Sequence, residues 1–93
     1  METADFTLEV TVCNEQGLHA RPSSLIVKLA AGFDADISIE HVAESLSVNA
    51  KSVIEIITLA APNGTALRLQ AMGNDAKEAV RAIAALIESG FEE

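Results

Sequence analysis

The chain has 93 residues and a formal net charge of −8 at pH 7, and 49% of its residues are hydrophobic, which predicts one globular domain over residues 1–93. The excess of acid argues against nucleic-acid binding and against an anionic membrane surface, because both kinds of partner attract clustered Lys and Arg. Without a signal-peptide pattern, a membrane-length apolar run or a second cysteine, the chain is expected to be cytoplasmic and free of disulfides.

The first predicted element is a strand from Phe6 to Cys13, in which apolar and polar residues alternate. Residues 14–17 form a polar segment that predicts a turn. A helix over about residues 20–32 follows, because apolar residues recur there at helical spacing. Pro22 suits the first turn of that helix, and Gly32 suits its end.

Two short strands come next, over residues 35–41 and 46–50. The link between them contains no Gly or Pro, so its turn type cannot be read from the sequence. Ser52 and Glu55 have the spacing of a capping box, which predicts a second, short helix over residues 53–59.

The last two predicted elements are a strand over residues 66–71 and a long third helix that Gly90 ends. Asp75 and Glu78 repeat the capping-box spacing at the start of this helix, although either Asn74 or Asp75 can be its cap. We expect the chain ends, residues 1–5 and 91–93, to be loose. The apolar stripe of the third helix consists of Ala76, Ala79, Val80, Ile83, Ala84 and Ile87.

The order of predicted elements is β-α-β-β-α-β-α, and each strand has one apolar face and one polar face. This pattern is typical of an antiparallel sheet that helices cover on one side and water on the other. The expected fold class is therefore α+β. We expect no metal site and no cofactor, because a single cysteine forms no metal cluster and Asp34 and Asp36 lack a third ligand.

The segment Gly17-Leu18-His19-Ala20-Arg21-Pro22 is the strongest candidate for a functional site. His19 directly precedes the predicted helix, where backbone N–H groups and the positive end of the helix dipole favour an anion. A neutral imidazole nitrogen can attack phosphorus, and the Arg21 guanidinium can hold the oxyanions. We interpret the segment as a nucleophile with an oxyanion cradle formed by the backbone of Gly17, Ala20 and Arg21. The alternative is a surface histidine that caps the helix, beside a solvated arginine.

This segment, placed after a short strand, closely resembles the active-site motif of HPr, the histidine phosphocarrier of the bacterial phosphoenolpyruvate-dependent phosphotransferase system. The resemblance extends from about Glu9 to Glu88 and includes Ala31-Gly32-Phe33 and Asn49-Ala50-Lys51-Ser52. It implies an open-faced β-sandwich, in which a four-stranded antiparallel sheet carries three helices on one face. The periodicity of the sequence predicts the same layout independently.

The resemblance also implies a function. Phosphorylated enzyme I would transfer its phosphoryl group to Nδ1 of His19, with Arg21 assisting. The group would then pass to a histidine or cysteine of a downstream, EIIA-type partner. The chain would be a phosphoryl-transfer intermediate rather than a stand-alone enzyme, since it offers one nucleophile and no second catalytic group.

Ser52 matches the serine that HPr kinase phosphorylates in some bacteria. A second interpretation is that its hydroxyl caps the second helix, and the two roles can coexist. Glu55 stands where kinase-regulated members usually have Gly, and a carboxylate one turn from a phosphoserine is unfavourable. Regulation at Ser52, with HPr kinase as a partner, therefore stays open.

The second helix predicts a docking surface. Ile56 and Leu59 can face the core together, which leaves other apolar residues toward solvent unless a neighbouring loop covers them. We expect three basic residues to lie around the His19 end, where acidic partners would bind and release quickly. These basic residues are Arg21, Lys28 and Lys51, and the predicted partner-binding residues are Ser24, Lys28, Lys51, Val53, Ile54 and Ile57.

The branch of the family and the class of function both have alternatives. The segments Ser52-Val53-Ile54, 32–36 and 89–93 resemble NPr, the carrier of the nitrogen-related branch, and favour that regulatory branch over sugar transport. Ala60, where Gly is common in the family, is a further departure. The rival class is a non-catalytic adaptor that binds partners through the second helix without phosphoryl transfer. In either role we expect a monomer that presents one face to its partners.

Overall fold

The computed structural model describes residues 4–92. The observed order of elements is β-α-β-β-α-β-α, and the predicted α+β fold class is confirmed. Short 3₁₀ turns occupy Val42–Glu44 and Gly90–Glu92. The strands and helices are β1 (Phe6–Thr11), α1 (Ala20–Ala30), β2 (Asp36–His41), β3 (Leu46–Asn49), α2 (Val53–Thr58), β4 (Ala66–Met72) and α3 (Ala76–Glu88).

The four strands form one antiparallel sheet in the order β1-β4-β2-β3. Leu69 of the central strand β4 pairs with Leu8 of β1 on one side and with Ile39 of β2 on the other. Because side chains alternate between the two faces of a strand, this register gathers the apolar residues on one face. The buried residues of that face are Val10, Ile37, Ile39, Val48, Leu67, Leu69 and Ala71.

The opposite face of the sheet is polar. Arg68 of β4 bridges two neighbouring strands, with 3.0 Å from its guanidinium to Glu9 of β1 and 3.0 Å to Glu40 of β2. The three side chains lie in one row across the sheet, because the register pairs Arg68 with both acids. The structure therefore has the open-faced arrangement that the sequence predicts, with one layer of helices and one face left to water.

The predicted apolar stripe of α3 is confirmed, because all six of its residues are buried.

The expectation that both chain ends are loose is wrong for the end residues that the structure describes. Asp5 donates its backbone N–H to the Ala71 carbonyl at 2.9 Å, and its carboxylate accepts from Gly73 N–H at 2.8 Å. At the other end Phe91 is only 1% exposed and belongs to the core. The remaining terminal residues, 1–3 and 93, lie outside the described residues.

Two local predictions about helix ends are also wrong. The first helix ends at Ala30 rather than near residue 32, because Gly32 N–H bonds Leu29 O at 3.1 Å in a tighter turn. Asp75 precedes α3 but does not cap it through its side chain. Its carboxylate instead accepts the backbone N–H groups of Asp34 and Ala35, at 2.9 and 2.8 Å. It thereby ties the α1–β2 loop to the start of α3.

Helices α1 and α2 contact each other and run in opposite directions. At one end, Leu18 N–H, just before α1, donates to Ala61 O, just after α2, at 2.9 Å. At the other end, the Lys51 ammonium, just before α2, donates to Phe33 O, just after α1, at 2.7 Å. The start of α1 therefore lies beside the end of α2, which decides what surrounds His19.

Candidate functional site

His19 occupies the N-cap position of α1, with an extended backbone at φ −81° and ψ −169°. Its carbonyl accepts the first helical bond, from Ser23 N–H at 3.1 Å. Its half-buried imidazole makes no capping hydrogen bond to α1, a helix that the structure describes in full. The His19 side chain therefore does not cap the helix, and a histidine without chemistry stays the alternative to a nucleophile. The side chain leaves the backbone where the N–H groups of the first turn concentrate positive potential.

The loop before His19 packs closely on the segment that follows α2. Gly17 has φ +69°, and a Cβ on it would lie 2.8 Å from Pro62 Cα and against the Ala61 carbonyl. Its N–H donates to Asn14 O at 3.2 Å. Gly17 therefore shapes the loop against protein, rather than offering an outward N–H to a phosphate. The cradle role predicted for Ala20 and Arg21, at the start of α1, stays a prediction.

The predicted basic residues do not gather around His19. Arg21 is exposed in the first turn of α1 and shares the His19 end. Lys28 lies in the last turn, roughly 13 Å along the helix from His19. Lys51 bonds Phe33 O beyond that far end. The expectation that all three surround His19 is wrong, because the antiparallel packing of α1 and α2 places the start of α2 at the opposite end of α1.

Helix α2 leaves part of its apolar surface in solvent. Ile56 and Leu59 are buried, as predicted. Ile54 is 78% exposed and Ile57 is 42% exposed, so no described loop covers them. Val53 is half-buried. Ser24, also predicted to bind partners, is exposed one turn into α1. The exposed Ile54 and Ile57 side chains form a small apolar surface, which we call the α2 patch.

Ser52 is the N-cap of α2, and its hydroxyl accepts Glu55 N–H at 3.3 Å. This half of the predicted capping box is confirmed. The reciprocal half is wrong, because the Glu55 carboxylate accepts from Asn49 N–H at 3.1 Å instead. Ser52 lies next to Lys51, and therefore at the far end of α1 from His19.

Sequence reasoning missed two buried polar side chains that flank His19. Asn14 is 4% exposed and Ser23 is 0% exposed. Asn14 donates its side-chain amide to Gly17 O at 2.8 Å, and the Ser23 hydroxyl donates to Leu18 O at 3.4 Å. A signal existed for Ser23, because it shares helical spacing with buried Ile26 and Ala30 and so interrupts an apolar stripe.

Residues 4–92 contain no group of three His, Cys, Asp or Glu side chains placed to bind a metal ion. Over the same residues, no helix has the length and apolar character needed to cross a bilayer.

Comparison with known proteins identifies the family. The family model described as "PTS HPr component phosphorylation site" matches residues 6–89. The phosphocarrier protein HPr of Treponema pallidum is 42% identical over 84 residues, which cover 90% of this chain and 93% of that protein. The phosphocarrier protein NPr of Escherichia coli K12 is 36% identical over 91 residues, 98% of each chain.

A longer relative and a solved structure agree with this match. The multiphosphoryl transfer protein of Haemophilus influenzae is 42% identical over 81 residues, but the match spans only 16% of its length. The crystal structure of HPr-C-His from Thermoanaerobacter tengcongensis superposes with a TM-score of 0.89 at 39% identity, over 95% of this chain and 97% of that chain. The chain therefore belongs to the HPr family of phosphocarrier proteins of the phosphotransferase system.

Proposed function

We propose that this chain accepts a phosphoryl group on His19 from phosphorylated enzyme I and passes it to an EIIA-type protein. The observation that carries the proposal is the position of His19 at the N-cap of α1. A phosphoryl group on its ring would lie against a helix N-terminus, where N–H groups and the dipole stabilise an anion. Arg21 in the same turn adds a fixed positive charge with several donors.

The transfer is a displacement at phosphorus. The lone pair on His19 Nδ1 forms a new N–P bond while the bond from phosphorus to the donor breaks, and the donor keeps that electron pair. The imidazole proton stays on Nε2 throughout, so the attack needs no separate base on this chain. Passing the group onward reverses the roles, and His19 Nδ1 becomes the leaving atom.

The α2 patch supports a docking surface beside this site. Because the end of α2 lies next to the start of α1, a partner that covers Ile57 also approaches His19. Exposed apolar side chains on a helix give a partner area to bury, and the positive charge of Arg21 and Lys28 suits an acidic partner. Both features fit a carrier that binds its partners briefly.

The experiment combines the protein with enzyme I, phosphoenolpyruvate and Mg²⁺, followed by intact-mass measurement at mildly alkaline pH. The wild type should gain one acid-labile phosphoryl group, and His19→Ala should gain none. His41→Ala is the matched control, because His41 is the only other histidine and should leave the gain unchanged. A folded wild type that gains nothing from any enzyme I would overturn the proposal and favour the adaptor, whose supporting observation is the exposed α2 patch.

The branch requires its own comparison. Relatives named HPr and NPr match this chain at 42% and 36% identity, so identity alone does not separate the two. We propose the nitrogen-related branch, from the likeness of the segments 32–36 and 89–93 to NPr. Measured kcat/KM should be higher with the nitrogen-type enzyme I than with the sugar-type enzyme. The reverse order would assign the chain to sugar transport.

We propose that the main role of Ser52 is to cap α2, and that phosphorylation by HPr kinase is at most a minor role. Its hydroxyl is already used by Glu55 N–H, and the Glu55 carboxylate stands one turn away. Incubation with HPr kinase and ATP should give little acid-stable phosphate on the wild type. Glu55→Gly should give more, if the carboxylate opposes the modification. Equal, complete labelling of both proteins would make Ser52 an ordinary kinase substrate.

A further inference from the structure

The backbone just before His19 is held by two buried polar side chains, and these are the buried polar residues of the described chain. Asn14 lies in the β1–α1 loop, and Ser23 lies in the first turn of α1. Each donates a hydrogen bond to a carbonyl oxygen of the two residues preceding His19. Buried polar groups that converge on one short segment determine its geometry more strongly than surface contacts do.

Asn14 makes the shorter of the two bonds, 2.8 Å from its side-chain amide to Gly17 O. The bond closes a turn whose other link is Gly17 N–H to Asn14 O, at 3.2 Å. Gly90 lies beside Asn14, since a Cβ on Gly90 would be 4.0 Å from Asn14 Cβ. Because Asn14 is buried, water does not compete for the hydrogen bond from its side chain to Gly17 O.

Ser23 completes the arrangement from the helix side. Its hydroxyl donates to Leu18 O at 3.4 Å, a long bond, while its N–H donates to His19 O at 3.1 Å. The carbonyl oxygens of residues 17, 18 and 19 are thus all engaged by donors within the protein. A carbonyl oxygen turned toward a phosphoryl group would repel it, because both carry negative charge.

We propose that Asn14, assisted by Ser23, is a positioning residue that keeps the carbonyl oxygens of residues 17 and 18 away from the phosphoryl group on His19. The helix N-terminus and Arg21 then face the anion without a competing dipole, and nothing has to reorganise when the group arrives. Asn14 touches neither donor nor acceptor in this account and acts through the loop backbone. The inference rests on the proposed phosphocarrier function.

The first test is Asn14→Asp, which keeps the shape of the side chain and removes the donor. Phosphorylation by enzyme I is followed at increasing concentrations of the chain, so that kcat and KM are separated. We expect kcat to fall roughly 10- to 100-fold, as for a misplaced reacting group, with KM within about twofold of wild type. Gln16→Glu is the matched control, since it adds a carboxylate to the same loop at an exposed position and should change kcat little.

The split between kcat and KM separates positioning from stability. A variant that is merely less stable loses folded molecules, which raises the apparent KM and leaves kcat at saturation unchanged. That result for Asn14→Asp, or an unchanged kcat, would overturn the proposal. An equal fall in kcat for Gln16→Glu would also overturn it, because added charge alone would then explain the loss. A wild type that accepts no phosphoryl group would remove the proposed function itself.

Ser23→Ala is a second variant, for use if Asn14→Asp does not fold. It removes only a hydroxyl group and should keep the fold. Because its bond is long, we expect kcat to fall only about 2- to 10-fold, again at constant KM. Ser89→Ala is its control, since that exposed hydroxyl bonds Leu86 O at 2.7 Å at the end of α3. Equal kcat values for Ser23→Ala and Ser89→Ala would remove Ser23 from the proposal.

Discussion

Gly17 shows how one residue sets the shape of the site. Its φ of +69° belongs to the left-handed region that glycine enters without steric cost. In addition, a side chain there would collide with Ala61 and Pro62, which follow α2. Both reasons hold at once, so the position is more restricted than an ordinary glycine turn. The His19 loop can approach α2 only because this residue has no Cβ.

Gly17→Ala should therefore lower the free energy of unfolding by about 2–5 kcal/mol, the sum of a left-handed alanine and an overpacked contact. Gly64→Ala is the matched control, because Gly64 has φ +94° and open space around its Cβ position. The control should lose only the conformational part, about 1–2 kcal/mol. Urea unfolding of both variants measures the difference, and equal losses would mean that the contact with residues 61–62 is unimportant.

Helix α2 combines a buried face and an exposed one within six residues. Ile54→Ser should raise KM for enzyme I at least fivefold, because apolar residues at the centre of an interface contribute more than about 1 kcal/mol. Its stability should change by less than about 0.5 kcal/mol, since the side chain is 78% exposed. Leu46→Ser, on β3, is the control for an exposed apolar residue outside the α2 patch. Equal KM changes for the two variants would contradict a docking role for α2.

The loop between α1 and β2 is fixed by Asp75. Backbone N–H bonds from Asp34, and then from Ala35, lower the pKa of the Asp75 carboxyl below its usual value of 3.8. The charged form is therefore favoured by folding, and its contribution is complete above the unfolded pKa and is lost as pH falls through the folded one.

Asp75→Asn should lower stability at pH 7, and the difference from wild type should shrink below about pH 4. Thermal unfolding measured from pH 7 to pH 2 checks this. The difference should persist in 1 M NaCl, because its main cause is a hydrogen bond to the backbone rather than a long-range charge. A difference that stays constant down to pH 2 would show that the carboxylate charge plays no part.

The elements were predictable where the signal is local, and some of the wrong predictions involve partners that are distant in the sequence. The stripe of α3 and the buried pair Ile56 and Leu59 follow from periodicity, so the sequence suffices for them. Asp75 has the spacing of a cap, but its partners lie 40 and 41 residues away. Lys51 likewise bonds a residue 18 positions earlier. The motif identifies His19 from the sequence. The burial of Asn14 and its bond to Gly17 O can be recognised only in the folded loop.

At the scale of the whole molecule, the C-terminal turn is part of the core. Phe91 is 1% exposed and holds a left-handed backbone at φ +60°, a costly conformation that only strong packing maintains. Gly90 brings the same turn against Cys13 and Asn14 in the loop before His19. The C-terminal turn therefore packs against the loop that precedes His19.

Phe91→Ala should cost about 3–5 kcal/mol of unfolding free energy, a large share of the 5–15 kcal/mol typical of a domain. Leu86→Ala, at a half-buried position of α3, should cost less. Denaturant unfolding of both variants measures the costs. A loss below about 1 kcal/mol for Phe91→Ala would show that the C-terminal turn is dispensable for stability.

The position of β4 in the sheet has a consequence for synthesis on the ribosome. This strand pairs with β1 and with β2, yet it is the last of the four to be translated. A nascent chain that ends before residue 66 can close the β2–β3 hairpin, while β1 and one edge of β2 await their partner. The sheet therefore assembles late and around its own centre, and chaperones would meet a chain with two open strand edges until β4 emerges.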